Sequence, residues 1–151
     1  SARVANPGCW ATGFLALARP LVRAGLIPAD FPVTVHGVSG YSGGGKSMIE
    51  EFEKKDSPVF VETVHRGYAL GLGHKHLPEM QMRSGLSHAP LFAPAVARFY
   101  RGMLVEVPLQ SWALPGATDE NRIGDPIDKP AVRLKARSLA AMCPWSCSIT
   151  M

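Results

Sequence analysis

Apolar residues in the first part of the chain recur every three to four positions. Between Trp10 and Leu26 this spacing predicts a helix whose buried face carries Phe14, Leu17, Ala18, Leu21 and Val22. Pro20 is expected to kink the helix or to mark an early irregularity in it, because proline lacks an N–H donor. Gly25 is a plausible C-cap, so we expect the helix to end there.

Alternation with a period of two then predicts strands. From Phe31 to Val38, Val33 and Val35 fall on one side, and Thr34 and His36 fall on the other. The segment from Val59 to Val64 is a second short candidate for a strand. Met103 to Leu109 alternates in the same way and ends close to a proline, which predicts a further strand.

Proline and glycine delimit two segments between these strands. Leu77 to Met82 has a proline at its start and Gly85 after its end, which is typical of a helix. The run from Leu91 to Ala97 is apolar enough to be buried, and we expect Pro94 to interrupt it.

The composition changes after about Gln110. Residues 118–130 are polar and rich in turn formers, and Ala131 to Met142 has the pattern of a short basic helix. The sequence therefore predicts one packed domain over residues 1–109 and a divergent, poorly ordered tail over residues 110–151.

The chain has 151 residues, which is room for one domain. Apolar residues make up 46% and charged residues 19%, a globular balance. The 15 glycines and 13 prolines predict short elements and many turns rather than a helical bundle. Because the chain does not begin with Met, we expect it to be a piece of a longer protein.

The formal net charge is +4, and no basic run is longer than Lys54-Lys55. This argues against nucleic-acid binding, which usually needs a basic patch, and it fits a small anionic substrate. No apolar run approaches the ~20 residues that cross a bilayer, so we expect no membrane partner. Three cysteines, an odd number, favour a reducing cytoplasm over a disulfide framework.

Cys9 is the first candidate for chemistry. It follows Asn-Pro-Gly and precedes the predicted helix. The unpaired N–H groups at a helix N-terminus favour the thiolate, the nucleophilic form, and could also stabilise an oxyanion. The alternative is a buried structural cysteine, which acts as a small apolar residue.

The second candidate is a histidine pair, His74 and His76, with Lys75 between them and Glu79 three residues later. Glu79 could hydrogen-bond one imidazole and orient it as a general base. The alternatives are a polar loop or half of a metal site. No Cys or His cluster elsewhere completes a zinc set, so we expect no metal.

The third candidate is the loop from Ser39 to Lys46, which is rich in glycine and serine. Consecutive N–H groups in such a loop can cradle an anion. The loop matches neither the Walker spacing nor the dinucleotide fingerprint. A tight structural loop is equally compatible with the sequence.

Together and in this order, the three motifs resemble the N-acetyl-γ-glutamyl-phosphate reductase family over residues 1 to about 109. The segments that carry the resemblance are Asn6 to Gly13, Val38 to Gly45 and His74 to Glu79. The resemblance implies an α/β (α+β) domain with a mixed β-sheet and helices on one face. Such a domain would be similar to the C-terminal catalytic and dimerisation domain of semialdehyde and glyceraldehyde-3-phosphate dehydrogenases.

The resemblance also implies a mechanism. Cys9 would attack an acyl phosphate to form a thioester, and NADPH would reduce the thioester to the semialdehyde. His76 would be the acid/base because Glu79 is close in sequence, with His74 as the alternative. A substrate-binding role is implied for Ser39, Tyr41, Ser42 and Lys75, where Lys75 stands in place of the family's usual arginine.

The chain departs from the family pattern in two ways. NADP(H) would be held mainly by an N-terminal Rossmann domain, and no dinucleotide fingerprint occurs here. Residues 110–151 do not resemble the family's C-terminal segment, and a shifted reading frame after Gln110 would explain this. Alignment of the alternative frames of the encoding DNA tests that hypothesis, which fails if neither frame restores the segment.

The resemblance further implies a homo-oligomer, assembled through this domain. Two other functions stay open. The chain could be a catalytically silent fragment that only associates with copies of itself or with full-length subunits. It could also act on another acyl phosphate such as aspartyl phosphate, although the motifs disfavour this.

Overall fold

The computed structural model describes residues 6–115 and 147–149. The first helix is confirmed as α1 (Cys9–Arg23), with Pro20 inside it. Gly25 adopts a left-handed φ of 70° just after the helix, which glycine does without steric cost. The predicted helix with a proline at its start is α3 (Leu77–Ser84), and it also ends at a left-handed glycine, Gly85.

A mixed sheet forms a second layer, beside the layer formed by α1 and α3. Its strands are β1 (Thr34–Gly40), β2 (His65–Gly67), β3 (Leu91–Ala97), β4 (Met103–Glu106) and β5 (Cys147–Ile149), in the spatial order β2-β3-β1-β4-β5. β1 runs parallel to β3 and antiparallel to β4, while β2 is antiparallel to β3 and β5 is parallel to β4. The predicted α+β class with a mixed sheet is confirmed.

One face of this sheet packs on the helices. The alternate residues Val35, Phe92 and Val105 are buried in one core cluster with residues of α1 and α3, including Phe14 and Met80. The residues between these positions in β1 and β4 point to the other face of the sheet. On that face His36 Nδ1 lies 3.0 Å from Glu106 Oε2, and both side chains are half-exposed. The predicted alternation of β1 is therefore confirmed.

The prediction of a strand from Val59 to Val64 is wrong. The short strand in this part of the chain is β2, which begins at His65. The guanidinium of Arg98 donates hydrogen bonds to the carbonyls of Phe52, Val61 and Thr63. These carbonyls are therefore engaged by a side chain rather than by a neighbouring strand, and the segment forms an irregular connection.

The glycine-rich segment is not a loop throughout. Ser39 and Gly40 finish β1, a 3₁₀ turn covers Tyr41–Gly44, and a helix that the sequence analysis did not predict, α2 (Gly45–Glu53), follows. α2 has a short apolar face, and Phe52 is its one buried residue. Nine residues with so little burial give a weak periodic signal.

Pro94 does not interrupt the third long strand, contrary to expectation. β3 runs through it, and Pro94 pairs with Gly37 of β1. The β2 ladder begins only at Ala95, and the Pro94 carbonyl accepts a hydrogen bond from the Tyr68 N–H at 3.0 Å. β3 can therefore continue through Pro94, because β2 pairs only with Ala95 to Ala97 and needs no N–H from the proline.

Most of the predicted tail lies outside the described residues, including the helix expected at residues 131–142. Of residues 110–151, the structure describes 110–115, with a 3₁₀ turn at Ser111–Ala113, and strand β5. Within the described residues, no helix is long and apolar enough to cross a membrane.

Candidate active site

Cys9 is the first residue of α1, and its side chain is exposed with a free thiol. The first i→i−4 bond of the helix runs from the Thr12 N–H to the Gly8 carbonyl at 2.8 Å. The N–H groups of residues 9–11 precede this bond, so they have no acceptor within the helix. The first turn of α1 itself contains no acidic residue.

The N-terminus of α3 meets the N-terminus of α1 at Gly8. The Gly8 N–H donates a hydrogen bond to Glu79 Oε2 at 3.1 Å, across 71 positions of sequence. The expectation that Glu79 hydrogen-bonds an imidazole is therefore wrong. The carboxylate lies beside the main chain that leads into Cys9, because α1 and α3 pack against each other.

His76 packs directly against Gly8. A Cβ atom on Gly8 would lie 2.6 Å from both Cδ2 and Nε2 of the imidazole, so only glycine leaves room for the ring. The opposite ring nitrogen, Nδ1, is buried and has no hydrogen-bond partner among the described residues. The Nε2 edge of His76 therefore faces the residue that precedes Cys9.

Burial lowers the pKa of His76, and the positive charge of Lys75 lowers it further, while the Glu79 carboxylate raises it. A lowered pKa keeps the imidazole neutral at pH 7, which is the form that accepts a proton. Glu79 thus acts on His76 through charge rather than through a hydrogen bond.

His74 is held differently. Its Nδ1 accepts a hydrogen bond from the His76 backbone N–H at 3.1 Å, which puts the proton of the neutral ring on Nε2. The ring meets Phe92 edge-on, with centroids 5.1 Å apart, and meets His76 at 4.7 Å. Burial lowers the pKa of His74, and the charges of His76 and Lys75 lower it further.

Trp10 connects this cluster to the sheet. The indole is buried, meets Phe92 edge-on at 5.4 Å, and donates from Nε1 to the Tyr68 hydroxyl at 2.9 Å. A Cβ on Gly37 would overlap the indole ring, so β1 needs glycine at that position. The roles of Tyr68, Gly8 and Gly37 are not visible in the local sequence, because they depend on contacts between distant segments.

The predicted substrate segment lies at the end of β1. Ser39 follows Gly37 by two residues on the α1-facing side of the strand. The Tyr41 hydroxyl donates to Glu53 Oε1 at 2.9 Å, and this hydrogen bond raises the Tyr41 pKa, followed by burial. Ser42 binds the Tyr100 carbonyl through its N–H, and Lys75 is exposed beside the histidines. None of the four side chains contacts Cys9 through a hydrogen bond or an ion pair.

The backbone N–H groups from Gly40 to Ser42 are not free to bind the phosphates of a dinucleotide. The N–H groups of Gly40, Tyr41 and Ser42 could have cradled a pyrophosphate, but they already donate to the carbonyls of residues 102, 99 and 100. Within residues 6–115 and 147–149, no group of three His, Cys, Asp or Glu side chains could hold a metal ion.

Comparisons with known proteins agree on one family. Residues 9–123 match the family model described as "Semialdehyde dehydrogenase, dimerisation domain". Similar curated proteins are named N-acetyl-gamma-glutamyl-phosphate reductase. The one from Chelativorans sp. (strain BNC1) is 56% identical over 115 residues, which is 75% of this chain and 36% of the relative.

The relative from Sinorhizobium medicae (strain WSM419) is 54% identical over 106 residues, covering 70% of this chain and 34% of the relative. The relative from Brucella anthropi is 52% identical over 113 residues, covering 75% and 36%. The chain thus spans about a third of the length of the curated relatives that it matches.

Proposed function

The chain belongs to the semialdehyde dehydrogenase family whose dimerisation domain it matches, and we propose that it takes part in the NADPH-dependent reduction of N-acetyl-γ-glutamyl phosphate to N-acetyl-glutamate semialdehyde. This reaction belongs to arginine biosynthesis, which we place in the cytoplasm. The names of relatives at 50–56% identity support the substrate class. NADPH would bind outside the described residues.

Acylation of Cys9 is the part of this chemistry that the described residues support. The thiolate sulfur would form a C–S bond to the acyl carbon, and the electron pair of the C=O bond would move to oxygen. When the carbonyl reforms, the C–O bond to phosphate breaks and phosphate leaves with that electron pair. The product on the chain is a thioester.

The local groups have distinct roles in this step. His76, neutral and with its Nε2 edge against Gly8, would accept the thiol proton. His74, the alternative base expected from the sequence, is less suited because its Nδ1 already accepts a hydrogen bond from the His76 N–H. The unpaired N–H groups of the first turn of α1 would stabilise the oxyanion. Ser39, Tyr41, Ser42 and Lys75 would bind the anionic substrate.

One observation supports this proposal most directly, namely that α3 brings His76 and Glu79 onto the residue before Cys9. A structural cysteine would not need an imidazole and a carboxylate at its helix N-terminus. Cys9 is also exposed rather than buried, which argues against the structural alternative.

The test is acylation of the chain with acetyl phosphate, followed by intact-mass spectrometry, with Cys143 and Cys147 changed to Ser. We expect an added acetyl group on Cys9 that hydroxylamine removes. We also expect His76→Ala to slow the reaction at pH 7 by about 100-fold, the lower end of the usual contribution of a positioned base, and by more than His74→Ala does. Acylation no faster than in the urea-unfolded chain would refute the proposal.

A second candidate function is association without catalysis. The matched family model is named for dimerisation, and Leu70 and Leu72 are 83% and 60% exposed. Sedimentation of wild type and of Leu70→Ser/Leu72→Ser would test it. A stable oligomer with an unreactive Cys9 would favour association alone.

A further inference from the structure

Tyr68 lies next to the candidate site, and the chemistry proposed above gives it no role. It follows β2 directly, and its N–H binds the Pro94 carbonyl of β3 at 3.0 Å. Its half-buried side chain reaches Trp10, the residue after Cys9, and its ring centroid is 6.1 Å from that of His74. The β2–α3 connection thus brings a hydroxyl into the same cluster as Cys9 and the histidines.

The hydroxyl of Tyr68 accepts a hydrogen bond but donates none within the described residues. Its oxygen accepts the Trp10 indole hydrogen bond at 2.9 Å, and indole N–H is a donor only. The hydroxyl proton therefore has no acceptor among the described residues. A hydrogen bond accepted at the oxygen polarises the O–H and strengthens it as a donor.

The hydroxyl stays protonated at neutral pH. Burial raises the pKa of Tyr68 above its ordinary value, the hydrogen bond from Trp10 lowers it, and the nearby Cys9 charge raises it again, with a net rise. A neutral tyrosine donates a hydrogen bond rather than accepting a proton. Tyr68 is thus suited to stabilise negative charge, not to act as the base.

The backbone around Tyr68 supports a functional position. Ala69 and Leu72 adopt left-handed φ values of 52° and 57°, which are unfavourable for residues with a Cβ atom. The Leu72 N–H donates to the Ala69 carbonyl at 2.9 Å and closes a tight turn between them. Strain of this kind persists where the surroundings fix it, and it is concentrated at functional sites.

We propose that the Tyr68 hydroxyl, held by the Trp10 indole, donates a hydrogen bond to the acyl oxygen of an acyl phosphate as Cys9 attacks it. The oxygen becomes negative when the C–S bond forms and becomes neutral again when phosphate leaves. Tyr68 would then supplement the N–H groups at the start of α1. This inference rests on the proposed acylation of Cys9.

The test compares two reactions of the same thiol. In the full chain with Cys143→Ser and Cys147→Ser, acetylation of Cys9 by acetyl phosphate is followed by intact mass over a concentration series. Alkylation by iodoacetamide is followed in parallel, because it passes through no oxyanion. Tyr68→Phe keeps the ring and removes only the hydroxyl.

We expect Tyr68→Phe to lower the limiting acetylation rate by about 10- to 100-fold, below the largest effects of oxyanion donors because Tyr68 is half-exposed. The half-saturating acetyl phosphate concentration and the alkylation rate should change less than twofold. Tyr100→Phe, the exposed tyrosine of the β3–β4 connection, is the matched control and should leave both reactions unchanged.

Three results would overturn the inference. The first is an unchanged acetylation rate in Tyr68→Phe. The second is a change confined to the half-saturating concentration, which would indicate a contact with the bound phosphate instead. The third is an equal loss in both reactions, which would indicate a structural effect on Cys9. In contrast, a wild-type Cys9 that is not acetylated would overturn the proposed function itself, and the inference with it.

Discussion

The backbone N–H of Gly8 donates a hydrogen bond to the Glu79 carboxylate at 3.1 Å. This contact joins the N-terminus of α1, where Cys9 lies, to the N-terminus of α3, which His76 precedes. It places negative charge near a histidine and satisfies an N–H group at the start of α1. Five predictions concern this junction and its connection to the sheet.

Two replacements of Glu79 should distinguish the effect of its hydrogen bond on stability from the effect of its charge. Glu79→Ala leaves the part-buried Gly8 N–H without a partner, and we expect a loss of about 1–2 kcal/mol in the free energy of unfolding. Glu79→Gln keeps an acceptor oxygen, so it should cost less. Urea denaturation measures both. Glu62→Gln, at an exposed position outside the cluster, is the control.

The same Gln variant should change the titration of His76. The Glu79 charge raises the His76 pKa against the effect of burial, so Glu79→Gln should move that pKa further down. The histidine Cε1–H resonance, followed by NMR against pH, reports the shift. An upward shift would contradict the electrostatic role assigned to Glu79.

Gly8→Ala should displace His76 without straining the backbone. The φ of Gly8 is −64°, which alanine adopts readily, but the new methyl would lie 2.6 Å from the imidazole. We expect a cost of about 1–3 kcal/mol and slower alkylation of Cys9 at pH 7. Gly71→Ala meets nothing within 4 Å and should change neither quantity. Equal behaviour of the two variants would argue against close packing of His76 on Gly8.

Gly37→Ala should disturb the indole that holds Tyr68. Its methyl would overlap the Trp10 ring, which is buried and cannot move freely. We expect a loss of about 1–3 kcal/mol in stability and an altered tryptophan emission spectrum. Gly67→Ala in β2 meets only Leu70 at 3.7 Å, an ordinary contact, and is the control. A Gly37→Ala variant as stable as wild type would mean that the two segments are farther apart.

Acid should weaken the fold through the two histidines. Their pKa values are lower in the folded chain than the ordinary 6.5, so the unfolded chain binds protons more readily just below pH 6.5. The histidine contribution to stability is therefore complete above about pH 6.5. It is lost as the pH falls from there toward the folded-state values.

The melting temperature at pH 7.5 and at pH 5.5 measures this effect. We expect the decrease to be smaller in His76→Asn and in His74→Asn than in wild type. His88→Asn, at an exposed histidine outside the cluster, serves as the control. An equal decrease in all four proteins would mean that other groups cause the loss.

Local sequence predicted the elements with a strong local signal. α1 has an apolar face over four turns and a glycine after its end, and α3 has a proline at its start and a left-handed glycine after it. β1 alternates from Thr34 to Val38 because one side of it is buried. In contrast, α2 has only one buried residue. The conformation of residues 59–64 depends on the hydrogen bonds that the distant Arg98 side chain donates to their carbonyls. Neither feature is visible in a local pattern.

The same distinction holds for the candidate site. Sequence by itself determined the residue types and their local settings: a cysteine at the start of a helix, and two histidines before another helix. Only the tertiary structure decided the partners, because these depend on how α1 and α3 pack and on how β2 leads into its following turn. It assigned Glu79 to the Gly8 N–H rather than to an imidazole, and it brought Tyr68 to Trp10 across 58 positions of sequence.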